Sequence, residues 1–338
     1  MSTISTQVNK NNNLKIAIAF AAIYIIWGTT YLAIRLAVET IPPFFMAATR
    51  FIIAGVITFL ILRARGIPIP KRIHWQSAAI IGAFMIVGGN GLVTWSEQQV
   101  PSGIAALVVA TVPIWIALFN WLIYREGRPN KQTVIGLVLG FIGIGLLIGP
   151  GQLLGTATFD LLSLLILLLA PILWSFGSLY SRQANLPENI FMSTSMEMLV
   201  GGLLLLVLGL LTGEAADLDI AQISRQSLIA MLYLTVFGSI IALTAYVWLL
   251  KTVHPSRAST YTYVNPIIAI LLGWLILSEP LTPLMIFAMV IIIFAVVLIT
   301  ARREKQSAPH GQQPPSPAAS PSKAAVTVEQ TTTSQISV

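Results

Sequence analysis

Apolar residues in this chain fall into long runs separated by short polar stretches. A helix crosses a bilayer with about 20 mostly apolar residues. Ten such spans are predicted: 14–34, 44–63, 76–95, 102–123, 132–149, 160–180, 191–212, 227–249, 257–278 and 283–300. The pattern therefore predicts an all-α membrane protein. The polar stretches carry a sided charge bias. Arg63, Arg65, Lys71 and Arg72 fall around loop 64–75, Arg125, Arg128 and Lys131 around loop 124–131, and Lys251 and Arg257 before span nine. Arg302, Arg303 and Lys305 follow span ten. With ten crossings these all lie on one side. The opposite loops gather Glu39, Glu97, Asp160, Glu214, Asp217 and Asp219, with Arg35 and Arg225 as the basic exceptions. Lys and Arg mark the cytoplasmic side, so both termini are expected there.

Composition sharpens this picture. The chain has 338 residues, is 56% hydrophobic and only 9% charged, against about 25% charged in soluble domains. The net charge of +7 comes from loop residues that act as orientation signals, so no nucleic-acid partner is expected. There are no cysteines, which removes disulfides, thiolate chemistry and Cys-based metal sites. The first span lacks a small-residue cleavage site and reads as a retained helix rather than a signal peptide. Residues 1–13 form a short cytoplasmic lead. Residues 302–338, rich in Pro, Ser, Thr, Ala and Gln, are expected to be a disordered cytoplasmic tail.

One phrase occurs twice. PIWIALFNWLIYRE runs from Pro113 to Glu126, and PIIAILLGWLILSE from Pro266 to Glu279, 153 residues later. The copies end spans four and nine, an odd number of crossings apart, so they enter the bilayer in opposite directions. Trp27 and Arg35 of span one answer Trp174 and Arg182 of span six. Met46 and Gly55 of span two answer Met192 and Gly201 of span seven, and Trp95 answers Trp248. The reading is a five-plus-five inverted-topology repeat, 14–150 and 151–301. Such repeats build secondary transporters with a midplane site between the halves.

The stretches WGTTYLAIR, PPFFMAATRF and VPSGIAALVVATVP, with the repeated helix ending in Glu, resemble the ten-helix drug/metabolite transporters of the EamA type. GNGLVTWSEQQVPSGIAALVVATVP, WSFGSLYSR and EMLVGG are most similar to their YedA-like inner-membrane branch. The resemblance covers all ten spans and not the tail. It implies a multi-pass protein of a bacterial inner membrane that exports small amphipathic metabolites, amino-acid-like compounds or drugs by alternating access. It also implies that spans one to four and six to nine surround a central cavity, with spans five and ten peripheral.

Candidate substrate-binding residues follow from what a bilayer tolerates. A charge at mid-helix costs roughly 2.5–3.5 kcal/mol on insertion scales. Arg50 in span two and Glu197 in span seven carry that cost, so each should face the interior. Arg50 suits an anionic group, and Glu197 suits a coupling proton. A buried pair that fixes packing is the structural alternative, but their depths argue against direct pairing. Trp27, Thr30 and Tyr31 share one face of span one, with Trp174, Ser178 and Ser181 as the counterpart in span six. Aromatic walls with hydroxyls suit an amphipathic solute, although such rings also anchor helices at the interface. Gly88 to Gly91, containing Asn90, thin span three. Tyr246, Tyr263 and Asn265 are further candidates, and Pro113 and Pro266 are expected helix kinks. Glu126 and Glu279 read as structural, each favouring the positive N-terminus of the span that follows. Gly136 and Gly140, with Gly143, Gly145 and Gly149 beyond, suit close helix packing.

No HExxH, nucleotide loop or selectivity filter is present, which argues against a hydrolase and a channel. No cofactor or metal is expected. The expected partners are a small-molecule substrate, the bilayer and a coupling proton, and the pattern sets no oligomeric state. The alternative class is a membrane-embedded small-molecule sensor or a lipid flippase.

Overall fold

A computed structural model describes residues 2–123, 131–153, 160–253 and 255–307, with side-chain surroundings for 13–123, 131–146, 160–253 and 257–298. Ordered secondary structure among them is helical throughout. The long helices are α1 (Ser2–Ala37), α2 (Pro43–Ala64), α3 (Arg72–Ser96), α4 (Ser102–Leu122) and α5 (Lys131–Leu153). They continue with α6 (Leu161–Ser181), α7 (Ile190–Leu211), α8 (Arg225–Thr252), α9 (Tyr261–Leu277) and α10 (Pro283–Ser307). Seven of these are long and apolar enough to cross a bilayer. The apolar parts of the other three, Lys131–Leu146, Tyr261–Leu277 and Pro283–Leu298, are shorter among the described residues. Of the expected tail, residues 302–307 continue α10 as helix, and residues 308–338 and Glu126 lie outside the described residues.

Glycines mark the closest helix contacts. α2 and α7 pack along their length, where Gly55 and Gly202 bring the two backbones close. A Cβ on Gly55 would meet Leu199, and one on Gly202 would meet Ile52. Small residues allow such approach where lipid supplies no hydrophobic drive between helices. Large apolar residues such as Leu203, Val207 and Leu210 point outward instead. α5 packs on α10, with Gly140 against Ile114 and Ala295, and Gly143 against Ile292.

Three helices depart from regular geometry. α4 is two segments, Ser102–Val109 and Val112–Leu122, and Pro113 opens the second. A proline without an N–H is tolerated in a first turn, so the expected kink at Pro113 is a break. α9 differs, because its helix runs unbroken through Pro266. α3 and α8 each contain a ten-residue π-helical stretch, Gly82–Gly91 and Leu234–Leu243. The two stretches start 152 positions apart. Wide turns of this kind are uncommon and often mark functional sites.

The loops are fixed by side chains that satisfy helix ends. Glu214 accepts from the backbone N–H groups of Phe44 and Phe45, at 3.1 and 3.0 Å, and so caps α2. Asp160 caps α6 through the Ser163 N–H and hydroxyl. Thr282 caps α10, where Pro283 is the first residue. Glu279 corrects the expectation made for it. Its carboxylate accepts from the N–H and hydroxyl of Ser102, at 2.9 and 2.8 Å, and from the N–H of Gly103. It therefore caps α4, not the helix that follows it. Ser278 ends α9 in the left-handed region (φ 53°), and the N–H of Glu279 returns to the carbonyl of Gly273. A Cβ on Gly273 would collide with that carboxylate, so a larger residue there would displace the cap.

Candidate functional site

The two π-helical stretches meet one cavity. Ile86, Gly89 and Asn90 of α3 line one wall, and Gly238, Ser239 and Leu243 of α8 another. Trp27, Thr30 and Tyr31 of α1, Arg50 of α2, Trp174 of α6 and Tyr261 of α9 also line it. Its volume is about 70 Å³, far below the roughly 300–1,000 Å³ of drug-sized ligand pockets. Little free space is left between these side chains.

Rings form one side. Trp27 meets Trp174 and Tyr261 edge-on, at 5.6 and 4.9 Å between centroids, and Tyr246 at a tilt, at 5.1 Å. Offset and edge-on pairs at such distances add to the burial of their area. Trp27 Nε1 donates to the carbonyl of Gly238 at 3.4 Å, which joins α1 to the wide turn of α8. Trp174 and Ser178 both reach the Tyr246 hydroxyl, at 3.3 and 3.1 Å.

The opposite side is cationic. Arg50 is 2% exposed. One guanidinium nitrogen donates to the Asn90 side-chain carbonyl, the group lies 4.5 Å over the Phe51 ring, and Nε has no hydrogen-bond partner. No carboxylate hydrogen-bonds it among the described residues. A buried cation with a spare donor beside a cavity is arranged to meet an anionic or strongly accepting group. Ser239, also on the lining, has a hydroxyl without a partner.

Six sequence candidates line the cavity together: Trp27, Thr30, Tyr31, Arg50, Asn90 and Trp174. Ser178 and Tyr246 stand behind Trp174 as a support layer, not on the lining. Three candidates lie elsewhere. The Tyr263 hydroxyl donates to the Val296 carbonyl on α10. With its amide nitrogen turned toward the carbonyls of Tyr24 and Tyr261, Asn265 donates to both at 3.1 Å and so ties α9 to α1. Glu197 is buried in α7, with Oε1 unpartnered and Lys251 as the charge acting on it, and is not on the lining. Sequence reasoning missed Tyr261 and Ser239. Tyr261 opens the same YTYVNP run as Tyr263, and two residues along a helix point about 200° apart.

A second hollow of about 580 Å³ opens between Glu39, Glu214, Asp217, Asp219, Trp95, Gln98 and Gln222, with no Lys or Arg on its wall. Burial raises the Glu214 carboxyl there, and the two N–H groups it caps lower it less.

The sequence matches the model of the EamA-like transporter family twice, over residues 14–149 and 161–301. The chain belongs to the EamA-like transporter family. Among its relatives, the uncharacterized inner membrane transporter YedA of Escherichia coli K12 is 40% identical over 81% of this chain and 89% of that protein. The uncharacterized transporter YoaV of Bacillus subtilis is 25% identical over 82% and 94%. Protein PecM of Dickeya dadantii is 27% identical over 79% and 86%. A solved crystal structure, 20% identical, superposes with a TM-score of 0.61 over 86% of this chain and 98% of its own, which speaks to fold alone. Membership of this family, with relatives named as inner membrane transporters, supports a multi-pass membrane transporter.

Proposed function

We propose that this protein is a secondary transporter of a bacterial inner membrane that exports small amphipathic solutes carrying a carboxylate or similar anion. Its ten spans form a five-plus-five inverted repeat, with both termini cytoplasmic, and the two halves exchange access to the cavity. The single observation that carries the substrate reading is Arg50, a buried cation on the cavity wall with an unused donor. Facing it, Trp27, Trp174 and Tyr261 offer ring surface to an apolar body. The matched π-helical stretches support two related halves, because each places a wide turn at the same cavity. Glu197, buried in the second half, carries a coupling proton, and its exchange with water belongs to the inward-open state.

The test is ligand-induced thermal stabilisation of the purified full chain, since a solute that binds only the folded state raises its midpoint. Benzoate and phenylacetate should stabilise more than benzylamine and benzyl alcohol. Arg50→Gln should erase that preference. A wild type that fails to discriminate carboxylate from alcohol would reject Arg50 as the anion site. Uptake of labelled benzoate into proteoliposomes then separates a transporter from a sensor.

A further inference from the structure

One buried carboxyl stands apart from the transport reading given so far. Glu97 directly follows α3 and is 0% exposed, yet neither side-chain oxygen has a hydrogen-bond partner. Its backbone is held firmly. Arg35 of α1 donates to the carbonyls of both Glu97 and Gln98, the latter at 2.6 Å.

Its place in the fold is specific. Asn90 and Val93 line the closed cavity, whereas Trp95 and Gln98 line the acidic vestibule. Glu97 retains helical geometry, and residues four and seven positions apart share a helix face. It therefore sits one turn beyond Val93, between cavity and vestibule. The groups facing it come from three directions: Arg35 and Tyr31 on α1, Arg50 on α2, and Glu279 after α9. Glu279 is already committed to the α4 cap.

A carboxylate buried without a donor is costly, while the neutral acid is far less so. We propose that Glu97 is a proton-binding site that gates the external mouth of the cavity, closed when protonated and open to the vestibule when ionised. The proton comes from vestibule water and returns to it, and no other bond changes. Burial, then the charge of Glu279, holds this carboxyl well above the usual range, against the pull of Arg35 and Arg50. During export, external protonation would reset the emptied carrier by closing this mouth. The inference rests on the transport reading above and adds a residue to it.

The chain has no cysteine, so one introduced thiol reports the gate. Val93→Cys places it inside the mouth, and Gln222→Cys is a vestibule control that corrects for thiol ionisation. Both are labelled in oriented proteoliposomes with a membrane-impermeant thiosulfonate applied to the vestibule side. The expected V93C-to-Q222C rate ratio rises with pH, by up to about tenfold per unit, as for a single titrating proton. Glu97→Gln should hold the ratio low and flat, and Glu97→Met should do the same if the glutamine variant folds poorly. A flat wild-type ratio, or an unchanged rise in both Glu97 variants, would overturn the proposal. Failure of alternating access looks different: V93C would then be labelled from the vestibule side only, at every pH and with or without benzoate.

Discussion

Four carboxyls withdrawn from bulk water divide into two kinds. Glu214 and Glu279 aim both oxygens at free N–H groups of helix N-termini, on α2 and α4. Glu97 and Glu197 are more deeply buried, at 0% and 1% exposure, and carry orphaned oxygens. All four are glutamates in or beside apolar helices, so residue type does not separate them. Partners do. A carboxylate that satisfies backbone donors holds the fold, because those donors would otherwise stay unpaired. One that satisfies nothing costs stability and is retained for what its charge state can do.

This contrast can be broken from either side. The largest structural effect is expected at Glu279, where alanine strands two N–H groups and a hydroxyl. A loss of about 2–4 kcal/mol is expected, taking roughly 1–3 kcal/mol for each well-buried donor left unmade and discounting for partial exposure. Thermal unfolding of the purified chain measures it. Glu214→Ala strands two N–H groups and should cost about 1–3 kcal/mol. Equal stability of both variants and wild type would remove the distinction drawn here.

The orphaned carboxyls should behave oppositely. Glu97→Gln is expected to unfold no earlier than wild type at neutral pH, because it removes a group that burial disfavours when ionised. Sign supports this: a carboxyl raised in the folded state makes folding less favourable as pH climbs past its ordinary value. Glu197→Gln should likewise insert and fold, yet lose the pH dependence of transport. An unchanged profile would leave Glu197 as a packing residue.

The smallest effect sharpens the cap side. Asp160 is exposed, and the Ser163 backbone and side-chain hydrogen bonds hold its carboxyl below the usual range. Its contribution is present above the ordinary aspartate value and lost as pH falls through the lowered folded one. Asp160→Asn should flatten the acidic limb of the stability curve slightly.

How much of the site was legible follows from bilayer physics. Arg50 was readable because an apolar span does not carry a charge without a reason. Trp27, Thr30 and Tyr31 were readable because helical spacing sets them on one face. Glu97 was not, because it lies past the apolar run and reads as an external loop acid. Only the docking of Arg35 over its backbone, with Glu279 and Arg50 nearby, makes it a buried group. Glu279 misled in the other direction. Its neighbour in sequence is α10, but its donors are on α4.

The sequence by itself determined the all-helical membrane class and the charged residues that must turn inward, and its motifs carried the family resemblance. The first two follow from local apolar length and from the desolvation of single groups, which need no partner to be evaluated. Tertiary structure alone decided which rings close the cavity, where α4 breaks while α9 continues, and which glutamates find donors. The rings and the glutamates depend on residues far apart in sequence meeting across helices, as Ser102 meets Glu279 and Trp27 meets Gly238. No local pattern encodes such a meeting, because helix spacing fixes a face and packing alone fixes what that face touches.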